Sequence, residues 1–569
     1  MYYYCAIFLV LRLLARADTS FAEPLSLTSC APKCFEYGTC NPETQRCECP
    51  LLWYGLDCSV PFPKPKEQCA AYAHSFMSCG SNDRSQCLNS CNGRGSCDGG
   101  FCNCYPGYYG ADCALSLGPD GRPELLAGQG YVPRQHGIKI YVYELPPMTN
   151  TWVSISRLDR PLVAALMQRL LSSGVRTADG DSADFFFIPL VMRTKGQAAT
   201  HLKAVVYYIR QHWPWWDRLQ GGHRHLLVVP ADLGRRSLPE EHLQMTENVT
   251  YLTHWGLHSN HSAGRWVESH RPGRDIVLPP LHNADEPIVF SPLHVLNSRH
   301  KERTRGLFFA GRICGDGKAP HEGRCDDTKS SFSGNIRQRV SMHHWNRTGW
   351  TVANHVKAYT SALSSHTFCL SPSGGGYGRR SVQALIMGCV PVLLGDGLHQ
   401  PFEPEVDWSQ FAVRVPEEDI PHLHHVLEAI NESKIEELQG RLWCAAQHMY
   451  YSTTYGEVMG EDGRFDAFEM LMEILRMRRD HPDLDPREYT QMDTSFADFI
   501  DCKLAPTGGR VALCSQNRLV KASGEPRLRP CRNEHPGLQM RSIHMFYSWP
   551  GGAVCGQNWT IAACPRSWI

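Results

Sequence analysis

The chain has 569 residues, 42% of them hydrophobic and 14 of them tryptophan, which excludes a disordered protein and leaves room for several domains. Lys plus Arg and Asp plus Glu balance at 57 each, so no net field draws the chain to nucleic acid. The 25 cysteines are uneven, with 15 before residue 114, a usage that suits an oxidising compartment.

Residues 1–17 form an apolar run, interrupted by Arg12 and ending in Ala15-Arg16-Ala17. The run is shorter than the ~20 residues of a membrane span. It reads as a secretory signal peptide or as a short signal anchor that would hold the protein at a membrane, and both deliver the rest of the chain to a lumen. Five N-x-S/T sequons, at Asn248, Asn260, Asn346, Asn431 and Asn558, agree with that route.

Two six-cysteine sets come next, Cys30, Cys34, Cys40, Cys47, Cys49, Cys58 and then Cys87, Cys91, Cys97, Cys102, Cys104, Cys113. Both close as C-x-C-x8-C over an aromatic and glycine turn, Trp53-Tyr54-Gly55 and Tyr108-Tyr109-Gly110. No C-x2-C pair supplies zinc-ligand spacing, so disulfide staples are expected. The sets resemble EGF-like modules, over 26–60 and 66–115, with Cys69 and Cys79 as an extra pair. The resemblance implies 1–3, 2–4, 5–6 pairing and a possible protein or glycan partner. Neither Leu27-Thr28-Ser29 nor Asp83-Arg84-Ser85-Gln86 offers a calcium set, so no calcium is expected. Residues 116–136 read as a Pro/Gly-rich linker.

From Gly137 strands and helices alternate, the pattern of an α/β domain. Strands are expected at Lys139–Tyr143, Asp184–Leu190, His225–Val229 and Gly306–Ala310, and a helix at His201–His212. Farther on, Thr367–Phe402 joins a serine- and glycine-rich loop (Ser371–Gly378), two arginines, a short helix (Ser381–Met387), Gly388, an apolar strand (Cys389–Leu394) and the turn Gly395-Asp396-Gly397. That order sets backbone N–H groups and guanidinium forks where a diphosphate would bind. Apolar positions from Leu423 to Leu442, and from Phe465 to Leu475, trace two further helices.

The stretch resembles the donor half of the exostosin family, glycosyltransferase family 47, through Phe368-Cys369-Leu370, Pro372, Gly374, Arg380, Gly388–Val392, Asp396 and Pro401-Phe402. Ile140–Pro147, Ala183–Pro189 and Ala231–Gly234 extend the resemblance to about 137–430. It implies an α/β GT-B fold of two Rossmann-like domains facing across a cleft, an acceptor half at 137–330 and a donor half at 331–490. It also implies transfer of sugar from a nucleoside-diphosphate sugar, UDP-linked by expectation, to a glycan or glycoprotein acceptor in the Golgi lumen or outside the cell, with inversion. Residues 491–569 are a cysteine-containing tail, expected to be a disulfide-tied appendix.

For the donor diphosphate the candidates are Ser371, Ser373, Gly374, Gly375, Arg379 and Arg380, with Arg312 and Arg337 as further cations that structural ion pairing explains as well. Gln383 stands where the family's ribose-holding Glu is usual, and Asp396 serves either the nucleotide sugar or its own turn. The acceptor base is expected to be Glu144 or Asp232, each at the carboxyl end of a strand, where a structural turn is the rival. His254, His258 and His261 lack the glutamate of a zinc helix, and Asp179-Gly180-Asp181 precedes its strand instead of following it. No essential metal is therefore expected. The Gln383 substitution also admits a different class, a matrix or adhesion protein whose transferase domain is inactive.

Overall fold

The computed structural model describes residues 87–98, 101–126, 134, 137–146, 162–191, 197–281, 291, 303–326, 332–374, 376, 378–451 and 463–503, preceded by four short strands, Thr39–Asn41, Arg46–Glu48, Trp53–Tyr54 and Val60–Pro61. The expectations for 1–17, the first cysteine set's pairing, Cys69, Cys79, Gly375, Asn558 and the last four cysteines lie outside these residues.

The first half builds strands β1 (Ile140–Val142), β2 (Arg176–Thr177), β3 (Phe185–Ile188), β4 (His225–Val229), β5 (Thr250–Thr253), β6 (Gly256–Leu257) and β7 (Ile276–Val277). All but β6 form one parallel sheet in the order β2-β1-β3-β4-β5-β7. Every residue of β3 and β4 is buried, as expected for parallel strands covered on both faces. Alternate residues serve the two faces: Ile140 and Val142 pack toward α1 (Leu162–Ser172), Tyr141 and Tyr143 toward α2 (Gln197–His212) and Trp216.

The second half repeats the plan with β8 (Thr304–Ala310), β9 (Thr351–Ala353), β10 (His366–Pro372), β11 (Val390–Leu394), β12 (Leu398–His399) and β13 (Val413–Arg414). The parallel order is β9-β8-β10-β11-β13, with helices α3 (Ile336–His344), α4 (Tyr359–Ser365) and α5 (Arg380–Ile386) between strands. The halves divide between β7 and β8, not at residue 330. Alternation of elements does not say which sheet a strand joins, and β8 pairs with β9 and β10.

Two helices close the fold. In α6 (Glu432–His448) the Asn431 side chain accepts from Lys434 N–H and caps the helix start, so the apolar stretch from Leu423 to Leu442 divides into Leu423–Glu428 and α6. In α7 (Ala467–Asp480) Asp466 caps Glu469 N–H. Helix α7 returns to the first half: Glu469 takes a bidentate pair of bonds from Arg134 at 2.8 and 2.6 Å and a third from Arg169 at 3.2 Å. Arg169 also stacks on Phe468, 4.9 Å from the ring centre.

The second cysteine set pairs Cys87–Cys97, Cys91–Cys102 and Cys104–Cys113, the 1–3, 2–4, 5–6 pattern. The start of the expected linker is part of this region, because Leu115–Leu117 pairs with Pro123–Leu125 and with Tyr108–Tyr109. Cys314 pairs with Cys325, as its loop suggested. Two bridges were not anticipated. Cys369–Cys389 joins β10 to the approach of β11, and Cys502 pairs with Cys444 of α6 instead of within the tail, docking Thr494–Ile500.

Candidate active site

The candidate donor residues gather at the carboxyl ends of β8, β10 and β11, where open parallel sheets bind ligands. Phe308 and Phe309 anchor β8 in the core, and the chain then turns at Gly311. A side chain at Gly311 would collide with the Arg380 guanidinium, so glycine lets that group reach the strand end. Arg380 donates to Ala310 O at 2.8 Å and to the Tyr359 hydroxyl at 3.1 Å, and lies 4.6 Å over the Phe309 ring.

Arg337 of α3 enters from the other side. Its Nε donates to Ser373 O at 3.1 Å and Nη1 to Arg312 O at 2.9 Å. Burial, with Arg380 and Arg312 beside it, pushes the Arg337 guanidinium down to about 9. Burial likewise lowers Arg380. Arg312 stacks on Phe332 at 4.3 Å. None of these three guanidiniums makes an ion pair with a carboxylate among the described residues. Three converging cations at a partly apolar strand end, without a counter-charge, suit a ligand that brings two negative charges. Helix α5 is only seven residues long, so these guanidiniums carry more of that task than its N-terminus.

The other candidates divide by partner. Ser371 is buried in β10 and donates to Cys369 O at 3.4 Å. The Ser373 N–H donates to Leu394 O at 3.0 Å, tying the loop to β11. Arg379 is half-buried at the N-cap of α5. Gln383 accepts from the Tyr359 hydroxyl at 3.1 Å, and that hydroxyl accepts from Arg380, so the amide is linked to the cation through a phenol. Tyr359 had no motif to announce it. Asp396 is exposed; its N–H donates to Glu417 Oε1 at 2.9 Å and its carboxylate accepts from Glu417 N–H at 3.2 Å.

The two candidate bases end in different places. Asp232, exposed after β4, meets the glycine loop across the cleft. A Cβ on Gly376 would lie 2.6 Å from Asp232 O and 2.7 Å from its Cβ, and Gly376 has φ of 151°. Only glycine permits that approach. Glu144, after β1, instead accepts from Ala111 N–H at 3.0 Å and from Arg176 at 2.9 Å. Arg176 also pairs with the buried Asp112 at 2.9 Å, so Glu144 belongs to the seat of the disulfide-tied region. Burial raises the Glu144 carboxyl against the opposing pull of Arg176.

Asp179-Gly180-Asp181 is a capped turn, in which Asp179 accepts from Asp181 N–H and Asp181 holds Trp215 Nε1 at 2.8 Å. The three histidines diverge: His254 Nδ1 bonds Leu278 O at 2.9 Å, His258 packs 4.3 Å from the His399 ring, and His261 Nε2 lies 2.8 Å from Glu417.

Two parallel-sheet halves, meeting where Gly376 abuts Asp232 near three clustered guanidiniums, have the layout of a glycosyltransferase of the two-domain type. The chain belongs to the exostosin GT47 family, whose domain model matches residues 134–430. It is 28% identical over 326 residues to the probable glucuronoxylan glucuronosyltransferase F8H of Arabidopsis thaliana, covering 54% of this chain and 66% of that relative. It is 26% identical over 374 residues to the probable glucuronosyltransferase GUT1 of Oryza sativa subsp. japonica, covering 60% and 82%. The match to the probable beta-1,4-xylosyltransferase IRX10L of Arabidopsis thaliana is 26% over 316 residues, covering 52% and 71%.

Proposed function

We propose that the protein transfers a sugar, glucuronic acid or xylose, from its UDP-linked form to a polysaccharide acceptor, with inversion, in the Golgi lumen. Arg312, Arg337 and Arg380 receive the diphosphate, with Gly374 letting the Arg337 guanidinium lie against the loop. Asp232 takes the acceptor proton. In that step the acceptor oxygen bonds to the anomeric carbon, the carbon–phosphate-oxygen bond breaks, and its electron pair leaves with the diphosphate. The guanidiniums meet that developing charge already in place.

The convergence of three guanidiniums, with no carboxylate paired to them among the described residues, carries this reading. The sugar and acceptor classes rest on the names of the relatives, and the lumen on the disulfides.

The test is release of UDP or GDP from a panel of nucleotide sugars with xylan-type and other glycan acceptors. UDP-glucuronic acid or UDP-xylose is expected to turn over. Arg380→Ala should lower kcat/KM about 100-fold, since charge-assisted bonds contribute about 1.5–3 kcal/mol each. Unchanged turnover in that variant sinks the site assignment.

A further inference from the structure

Among the described residues one strand pair joins the two halves. Strand β6 runs antiparallel to β12, with Gly256 opposite His399 and Leu257 opposite Leu398. The segment after β6 stays on the second half: His258 N–H donates to Gly397 O at 2.9 Å, and Ser259 packs against Gly397. Gly397 follows Asp396, so first-half backbone lies along the loop that presents Asp396.

His261 then crosses to Glu417, Nε2 to Oε1 at 2.8 Å, with side chains only 9% and 11% exposed. The tautomer is set by the other nitrogen. Gly264 N–H donates to Nδ1 at 2.9 Å, so Nδ1 is the acceptor and Nε2 carries the proton toward Glu417. The ring lies over Gly334, ahead of α3, where the missing side chain leaves room for it. The same Glu417 oxygen accepts the Asp396 N–H, while Glu417 N–H returns a bond to the Asp396 carboxylate. Asp396 is clasped in both directions by a residue that the other half holds.

We infer that His261 is a positioning residue for donor binding: acting through Glu417, it sets the Asp396 turn when the two halves dock. The inference rests on reading the Gly374–Asp396 region as the donor site. Glu417 accepts from two N–H groups at one oxygen, and a nearly buried carboxylate that loses one donor has reason to turn toward water. Turning away releases the Asp396 N–H and the loop with it. His261 does not touch the transferred sugar in this scheme, so its loss shows in donor affinity more than in turnover.

The experiment uses the full chain, with UDP as the binding probe by calorimetry and donor KM and kcat from UDP release. His261→Ala should weaken UDP binding and raise donor KM about 10-fold, with acceptor KM unchanged and kcat within about 2-fold, the size of one charge-assisted hydrogen bond. His261→Gln keeps an N–H for Glu417 and should restore most of that affinity. Glu417→Ala should lose as much as His261→Ala, and the double variant should lose no more, because both act through one link. Additive losses, a kcat effect without a KM effect, or no rescue by Gln would overturn the inference. Should His261→Ala fail to fold, Glu417→Asp shortens the same link with its charge retained; unchanged UDP affinity there overturns it too. Arg380→Ala separates the two readings. If it abolishes UDP binding while His261→Ala does not weaken it, only the positioning role falls. If Arg380→Ala leaves UDP binding intact, the donor site itself falls.

Discussion

Strands β1 and β8 each open a parallel sheet of the same winding, and each carries a charged residue just past its carboxyl end: Glu144 in the first half, Arg312 in the second. Their surroundings differ. Glu144 meets Arg176 and the Ala111 N–H, and Arg176 meets Asp112, so the charges close among themselves under the disulfide-tied region. Arg337 lies between Arg312 and Arg380. One strand end is closed by the protein's own chain; the three cations at the other pair with no carboxylate among the described residues. Charge that is paired inside is structural; like charge gathered at a strand end anticipates a partner.

The largest effect should come from the carboxylate on the open side. Asp232→Asn is expected to lower kcat by about 10²–10⁴, the usual range for losing a general base, while Glu144→Gln stays within a few-fold. Steady-state kinetics on both variants checks this, and the reverse ranking breaks the comparison. Arg176→Ala addresses the closed side. It strands the buried Asp112 and the half-buried Glu144, so unfolding by denaturant should show a loss of about 3–5 kcal/mol with UDP affinity unchanged.

The open side should respond to ligand where the closed side does not. UDP at 100 times its Kd is expected to stabilise the fold by about 2.7 kcal/mol, read as a rise in Tm that Arg380→Ala abolishes. The smallest effect concerns acid. Burial first, then neighbouring cations, pushes His270 and His399 down to about 3 each, beside the β6–β12 pair. Their folded values lie below the unfolded 6.5, so the unfolded chain binds protons first as pH falls. Their stabilising contribution is complete above 6.5 and is lost as pH drops toward 3. His270→Leu removes a ring with no hydrogen-bond partner at either nitrogen and should flatten the fall of Tm between pH 6.5 and 4.

Much of the second half was legible because its signals are local. The Cys389–Leu394 strand and the helix before Gly388 were found within a residue or two. The cysteines of residues 87–113 pair as the EGF-like resemblance implied, and Cys314 pairs with Cys325 across the short loop that suggested it. What stayed hidden spans distance. Tyr359 reaches Gln383 across 24 residues, His261 reaches Glu417 across 156, and Cys444 reaches Cys502 across 58. Such partners are set by topology, and a single sequence carries no record of it. Glu144 and Asp232 looked alike for the same reason: both end strands, and only the docked disulfide-tied region separates them.

The return of α7 has a consequence for where this protein can be cut. The family model's match ends at residue 430, but burial does not. Phe468, Leu471, Ile474 and Leu475 of α7 lie in the core shared with α1, and Glu469 and Asp466 are the counter-ions of Arg169. A chain ended at 430 would uncover that apolar surface and leave a guanidinium stranded inside. The end of the family model marks one boundary; where buried surface closes marks another, and here the second lies some seventy residues downstream, at the Cys444–Cys502 bridge.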